Sequence, residues 1–380
     1  MNESLPVEQI KRQNMIFCNL IYQKIIDGVK LNKRDTERFA SQYGIEDKNA
    51  IKELCELAIV YRARMLAQAD ESLWKRFRDI VQLYHSQVNL SHRTSQSVML
   101  QQYSTPAPIA FLAGSFVSEN GNGLGSVKRG GRFTKNHFQI PQTRQSIPTS
   151  PLYFEPSAGN GLLTIAMLPQ QVWVNEIDEF RSINLAEQGF AKQLKQDATE
   201  SFDMPKKFDG IITNPPFGRL DKALVVDDFP INTLDHAMAI RALDCMKDDG
   251  RAAIIIGGHT EWDSAGRIKA GKNRIFFSYL YRHYHVADVI NVDGDLYSRQ
   301  GTSFNIRMIF INGRKTKPDG YPPLKSDDDK VVNDFEALYD RVVRMMPKGY
   351  NNAENNNHLR IIRAKAASKL KLLELINIPE

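Results

Sequence analysis

The sequence predicts an α/β fold: a mostly parallel sheet with an antiparallel hairpin at its edge, a helical N-terminal extension and a short helical C-terminal segment. Three observations predict it. Strand-like apolar runs alternate with helical stretches from Leu152 to Ile256. Two further runs, 286–292 and 306–311, flank a turn around Gly301, as an antiparallel edge pair does. Residues 7–90 carry helical spacing almost throughout.

A chain of 380 residues with 42% apolar content can bury an α/β core of about 200–250 residues and carry smaller attachments. No apolar run approaches the roughly 20 residues that cross a bilayer, and Met1 opens a polar stretch rather than a signal sequence. A cytoplasmic protein with no membrane partner is expected. Cys18, Cys55 and Cys245 form no pair at metal-ligand spacing, so buried thiols are expected, without disulfides or metal. The net charge of +6 is compatible with a polyanionic partner but does not choose one.

In chain order, Val7 to Ile26 places Ile10, Phe17, Ile21 and Ile25 mostly on one stripe, and Gly28 interrupts it. Helices follow at 33–43, 48–69 and 71–86. In the last, Lys75, Arg76 and Arg78 face either phosphates or plain solvent. Thr105-Pro106 opens a helix, with Thr105 as cap. From Ser118 to Ser150 a Gly-rich stretch sets Lys128, Arg129, Arg132, Lys135 and Arg144 against the single acid Glu119. This loop either closes on a nucleic-acid backbone or serves as a flexible linker.

Leu152-Tyr153-Phe154 is a strand, 161–167 a helix, Val172-Trp173-Val174 a strand and 179–188 a helix. Gly210 to Thr213 is a buried strand, 234–246 a helix and 251–256 an apolar central strand. The tail holds a helix at 331–345, an Asn-rich linker at 351–357 and a basic helix at 359–375.

The chemistry gathers at the strand ends, where open α/β sheets bind ligands. After Thr213, Asn214-Pro215-Pro216-Phe217 halts the strand, because proline gives no N–H and restricts the residue before it. An amide, a rigid carbonyl pair and an aromatic there make a clamp for a planar ring bearing an exocyclic amine. Glu155-Pro156-Ser157-Ala158-Gly159-Asn160-Gly161 is a tight loop. It lacks the third glycine of a dinucleotide fingerprint, and its acid suits an ammonium better than a pyrophosphate. Glu176 at the next strand tip can accept from two ribose hydroxyls, Ile177 offers an apolar face to a base, and Asp197 can accept from an adenine amine. Each acid alone also reads as a helix cap or surface charge. Together they describe a pocket for an adenosine joined to an amino acid, the shape of S-adenosylmethionine.

These motifs, with Gln102-Tyr103-Ser104-Thr105-Pro106 upstream, resemble those of class I S-adenosylmethionine-dependent methyltransferases that modify adenine N6 in DNA. The motif order resembles the gamma order of stand-alone adenine methylases and type I modification subunits. The resemblance covers about residues 98–313 and implies a Rossmann-like class I sheet. It divides the chain into a helical N-terminal region (1–97), a cofactor-binding catalytic domain (98–313, with the basic loop at 118–150) and a C-terminal extension (314–380).

Position by position, the resemblance implies that Thr105 and Glu155 hold the methionine part and that Gly159 lines it. Glu176 binds the ribose, and Ile177 and Asp197 meet the adenine, with Tyr103, Pro156, Ser157 and Ala198 completing the contacts. Asn214 and the Pro215 carbonyl accept the target amine's hydrogens, Pro216 fixes the turn and Phe217 stacks on the flipped base. Tyr297 is the expected second aromatic wall, with Phe304 the alternative. Only about 67 residues follow Gly313, which leaves three sources for target choice: low specificity, the N-terminal helices with the basic loop, or a partner such as a separate specificity subunit or a larger polypeptide. Other readings are methylation of RNA adenine or protein glutamine, and a non-catalytic binding subunit of a modification complex.

Overall fold

The computed structural model describes residues 7–88, 104–118, 151–300 and 302–346. Four helices open the chain: α1 (Val7–Ile26), α2 (Lys33–Ser41), α3 (Lys48–Ala67) and α4 (Leu73–Ser86). Their starts are set locally. Asn32 and Asp35 form a reciprocal capping box on α2, Asp47 accepts from the first-turn N–H groups of α3, and Ser72 accepts from the Lys75 N–H. Helix α5 (Ala107–Ser118) is buried from Ala107 to Val117, as expected of a helix apolar all round. Its first helical bond runs from the Ala110 N–H to the Pro106 carbonyl. Pro106 thus stands at the cap position, and the Thr105 side chain is turned elsewhere.

The rest builds a seven-stranded sheet in the order β3-β2-β1-β4-β7-β9-β8. Its strands are β1 (Tyr153–Glu155), β2 (Val172–Asn175), β3 (Lys192–Leu194), β4 (Phe208–Thr213), β7 (Met246–Gly257), β8 (Tyr284–Val292) and β9 (Ile306–Arg314). All its pairings are parallel except those that β9 makes with β7 and β8. The chain leaves β1 outward to β2 and β3, then returns to the other side at β4. That reversal opens a crevice at the carboxyl ends of β1 and β4. The fold is therefore the mostly parallel, Rossmann-like sheet with an antiparallel edge.

Helices α6 (Glu179–Ala186), α7 (Leu234–Asp244), α8 (Lys272–His283) and α9 (Phe335–Arg344) complete the architecture. One face of the sheet packs on α5, α4 and α9 through Phe111, Phe116, Phe310 and Tyr339. The other face packs on α7 and α8 through Phe154, Phe208, Ile240 and Phe276. A third core, around Phe17, Leu54 and Ile59, joins the N-terminal helices, and α3 continues into the first core through Val60 and Ala63. Cys18, Cys55 and Cys245 are buried and unpaired. Among the described residues no helix is long and apolar enough to cross a membrane.

Several expectations need correction. The helix predicted over 161–167 is only a 3₁₀ turn, Leu162–Thr164. Gly161 sits at φ 83° and the Thr164 hydroxyl bonds back to the Gly161 carbonyl at 2.7 Å, which favours a turn over a propagating helix. Arg76 faces neither phosphate nor solvent: it is buried, donates to the Ala67 carbonyl at 2.7 Å and lies over the Phe111 ring. The connection between β8 and β9 is not a tight turn but residues 293–305, with a 3₁₀ segment at Gly294–Gln300. An unforeseen hairpin, β5 (Arg219–Val226) and β6 (Phe229–Thr233), follows the Asn-Pro-Pro-Phe tip. The Asn-rich linker and the basic helix of the tail lie outside the described residues.

Candidate active site

A cavity of about 340 Å³ opens over the carboxyl ends of the parallel strands, within the range of small-molecule sites. Strand order places its key residues in a row: Asp197 after β3, Glu176 after β2, Glu155 to Gly159 after β1, and Asn214 to Phe217 after β4. At about 4.8 Å per strand the row spans about 14 Å, suited to an extended ligand rather than a compact one. Thr105, Pro156, Ser157, Ile177 and Ala198 also line it. Tyr103, Lys128, Arg129, Arg132 and Lys135 lie outside the described residues.

At the β1 end, Gly159 adopts φ 55° with open space where a Cβ would stand, so the backbone turns tightly and still admits a close neighbour. Its N–H donates to Glu176 Oε2 at 2.7 Å, and the Asp178 N–H donates to Oε1 at 2.8 Å. Asp178 itself caps α6 by accepting from the Arg181 N–H. Asn175, to which the sequence assigns no role, ties two loops together by donating to the carbonyls of Pro156 and Gln196, both at 2.9 Å. Asp197 is exposed and accepts from the Thr199 N–H and hydroxyl, both at 2.8 Å. Ile177 is 59% exposed.

Glu155 is 1% exposed, and its Oε2 is buried without a hydrogen-bond partner among the described residues. Burial, then the like charge of Glu176, push its carboxyl well above the usual carboxylate range, and Arg64 opposes them. Burial likewise raises Glu176. The orphaned Glu155 is costly unless a cation or a donor joins it, whereas Glu176 has its two backbone N–H donors.

Helix α3 reaches this site through Glu56, which the sequence signals only faintly. Glu53 accepts from Arg181 at both oxygens, 2.9 and 3.0 Å, and from the Asn160 side chain at 2.7 Å. Burial alone would raise Glu53, but Arg181 overrides it and holds the carboxyl below its usual range. Arg64 donates to Gln188 at 2.8 Å and to the Thr164 hydroxyl at 3.0 Å beneath the glycine loop. The available signal was two acids, Glu53 and Glu56, set among Leu54, Cys55, Leu57 and Ala58 in a helix otherwise apolar there.

At the β4 end, the Asn214 side-chain nitrogen donates to Thr105 Oγ1 at 2.8 Å. Phe217 is half-buried against Gly257, where a Cβ would come within 3.1 Å of its ring. Tyr297 and Phe304 both line the cavity but differ in kind. Tyr297 is 2% exposed and part of the core beneath, whereas Phe304 is 57% exposed.

No protein-family model matches the chain, and no curated protein matches it. Among solved structures it is similar to a Listeria monocytogenes protein provisionally assigned as a class I S-adenosylmethionine-dependent methyltransferase. The identity is 11%, with 88% of this chain and 98% of that one covered, at a TM-score of 0.42. It is also similar to the EcoKI M protein of a type I restriction enzyme (14% identity, 83% and 69% covered, TM-score 0.38). A chain of a type I R-M system gives 11% identity, 90% and 77% covered, and a TM-score of 0.42. At these identities and scores they carry none of the functional reading, which rests on the cavity's own residues.

Proposed function

We propose that this chain transfers a methyl group from S-adenosylmethionine to the N6 amine of adenine in DNA, after the base has been flipped out of the helix. The observation that carries the reading is the Asn214–Thr105 bond at the tip of β4, in one cavity with Phe217 and the acids after β1, β2 and β3. The residues fit the cofactor. Unpartnered Glu155 suits its ammonium, Glu176 its ribose, Ile177 and Asp197 its adenine, and the open side of Gly159 its methionine chain. When bound, the cofactor supplies an electrophilic methyl group.

The chain's own residues do the rest. The target amine is a weak nucleophile because its lone pair is delocalised into the ring. With the Asn214 nitrogen tied to Thr105, its oxygen is left to accept one amine hydrogen, and the Pro215 carbonyl accepts the other. Both favour a pyramidal nitrogen and stabilise the positive charge that grows on it. The surplus proton leaves to solvent afterwards, with no strong base required. Phe217 on one side and Phe304 on the other hold the ring, which offsets part of the few kcal/mol lost on unstacking. Tyr297, expected as that second wall, is better read as its buried support.

The test is incubation with methyl-labelled cofactor and unmodified duplex DNA, single-stranded DNA, RNA and protein side by side. N6-methyladenine in DNA is the expected product. Label only in RNA, or on glutamine, would move the same amide chemistry to another substrate. Bound cofactor with no transfer to any of them would leave a non-catalytic binding subunit.

A further inference from the structure

The N-terminal helices supply part of the cavity wall, and one of their side chains is a buried acid with little to hold it among the described residues. Glu56, on α3, is 3% exposed and lines the cavity beside Ser104, Thr105 and Glu155. Among the described residues its carboxyl accepts one hydrogen bond, from the Ser104 hydroxyl at 2.6 Å. Its neighbours are better provided for. Glu53 holds Arg181 with both oxygens, and Glu176 accepts from two backbone N–H groups. A carboxylate buried with one hydroxyl as its hydrogen-bond partner lacks, among the described residues, most of the donors that would make burial tolerable. Glu155, with its own orphaned oxygen, lines the same cavity.

Among the described residues, the buried acids Glu53, Glu56, Glu155 and Glu176 face two buried cations, Arg64 and Arg181, with the half-buried Lys52 acting on Glu53 and Glu56 from outside. Arg181 is already committed to Glu53, and Arg64 to Gln188 and Thr164. The surplus is negative, and Glu56 carries its part of it at the Thr105 end of the cavity, where it holds Ser104. A ligand entering that end gains most by presenting a cation with several N–H donors.

We propose that Glu56 is a binding residue for the amino group of the methyl donor's amino-acid tail, so that α3 forms part of the cofactor site. The inference rests on the methyl-transfer reading above and adds to it a group from outside the sheet. Glu56 and Glu155 approach the ammonium from two elements, α3 and β1. Thr105, next in the chain to the Ser104 that bonds Glu56, accepts from the Asn214 clamp. The helical extension thus contributes to cofactor recognition.

The experiment is calorimetric binding of three ligands to the full chain and to Glu56→Gln. The ligands are S-adenosylhomocysteine, its analogue lacking the amino group, and 5′-methylthioadenosine, which lacks the whole amino-acid tail. The variant should bind S-adenosylhomocysteine about tenfold to a hundredfold more weakly, as expected for loss of a hydrogen bond to a charged group. The two ligands without an amino group should bind it as they bind the natural chain. Unchanged S-adenosylhomocysteine binding, or equal weakening of all three ligands, overturns the assignment of Glu56 alone. If the natural chain binds none of the three, the methyl-transfer reading falls with it. Should Glu56→Gln not fold, Glu56→Asp, which keeps the charge but shortens its reach, should reduce the preference for the amino-bearing ligand in the same direction; an unchanged preference overturns the proposal.

Discussion

Asn214 and Thr105, 109 positions apart in sequence, meet through a 2.8 Å hydrogen bond in which the amide donates and the hydroxyl accepts. The bond orients the amide: its nitrogen is engaged, and its oxygen is the end left for a substrate N–H. Asn214→Ala should lower the transfer rate by about a hundredfold to a thousandfold, the usual loss for one preorganised polar group, while calorimetry shows cofactor affinity nearly intact. Thr105→Val keeps the amide but frees it to rotate, and turnover should fall by about tenfold to a hundredfold. A Thr105→Val enzyme with undiminished turnover would show that the contact does not orient the clamp.

The Glu53–Arg181 pair joins α3 to α6, with side chains 3% and 9% exposed. Removing one partner of such a pair leaves the other charge buried and alone, a loss of about 3–5 kcal/mol. Glu53→Ala should lower the melting temperature and, because Glu53 also receives Asn160 from the glycine loop, weaken cofactor binding. Equal melting temperatures would refute the structural role.

What the sequence makes legible is local. The proline pair marks the end of β4, and the acids that close β1 and follow β2 come where apolar runs stop abruptly, so most of the row of strand ends could be read without coordinates. The hairpin of β5 and β6 escaped because its turn uses Asp227 and Asp228, at φ 45° and 67°, where Asn-Gly is the usual sign. Strand β3, three residues with none fully buried, carries no hydrophobic pattern. Glu53 and Arg181 are 128 positions apart, and nothing in local spacing pairs them. Tyr297 and Phe304 were candidates for one role by residue type, and only their burial separates them.

Gly210 in β4 is required by close approach rather than by a special backbone angle. A Cβ there would overlap Val117 of α5 and come within 2.9 Å of Tyr153 Cδ1. Gly210→Ala should cost about 1–3 kcal/mol, as overpacking does, measurable as a lower denaturation midpoint. An unchanged midpoint would mean that α5 withdraws from the sheet at little cost.

Stability should depend on pH through Glu56. Burial first, then the like charge of Glu53, raise its carboxyl, while Arg181, the Ser104 hydroxyl and Lys52 oppose them. An acid raised in the folded state adds stability that is full below its unfolded value and lost as pH rises through the folded one. Glu56→Gln, neutral at every pH, should therefore match the cofactor-free natural chain in acid and melt higher at neutral pH. A variant that melts lower at neutral pH would show that the charged form is already well satisfied.

The two aromatic candidates separate by opposite responses. Phe304 presents a largely exposed ring at the cavity, so Phe304→Ala should leave stability within about 0.5 kcal/mol but weaken binding of DNA carrying a flipped adenine by about tenfold, the scale of one base–aromatic stack. Tyr297 is sealed in the core with Tyr84 and Phe335 nearby. Tyr297→Ala opens a cavity and should cost about 3–5 kcal/mol. Melting curves and fluorescence of a 2-aminopurine placed at the target position read both effects. The assignment reverses if Phe304→Ala binds normally while Tyr297→Leu, which removes the ring but keeps most of the apolar bulk, loses the stacked-base signal, because the wall would then be the tyrosine after all.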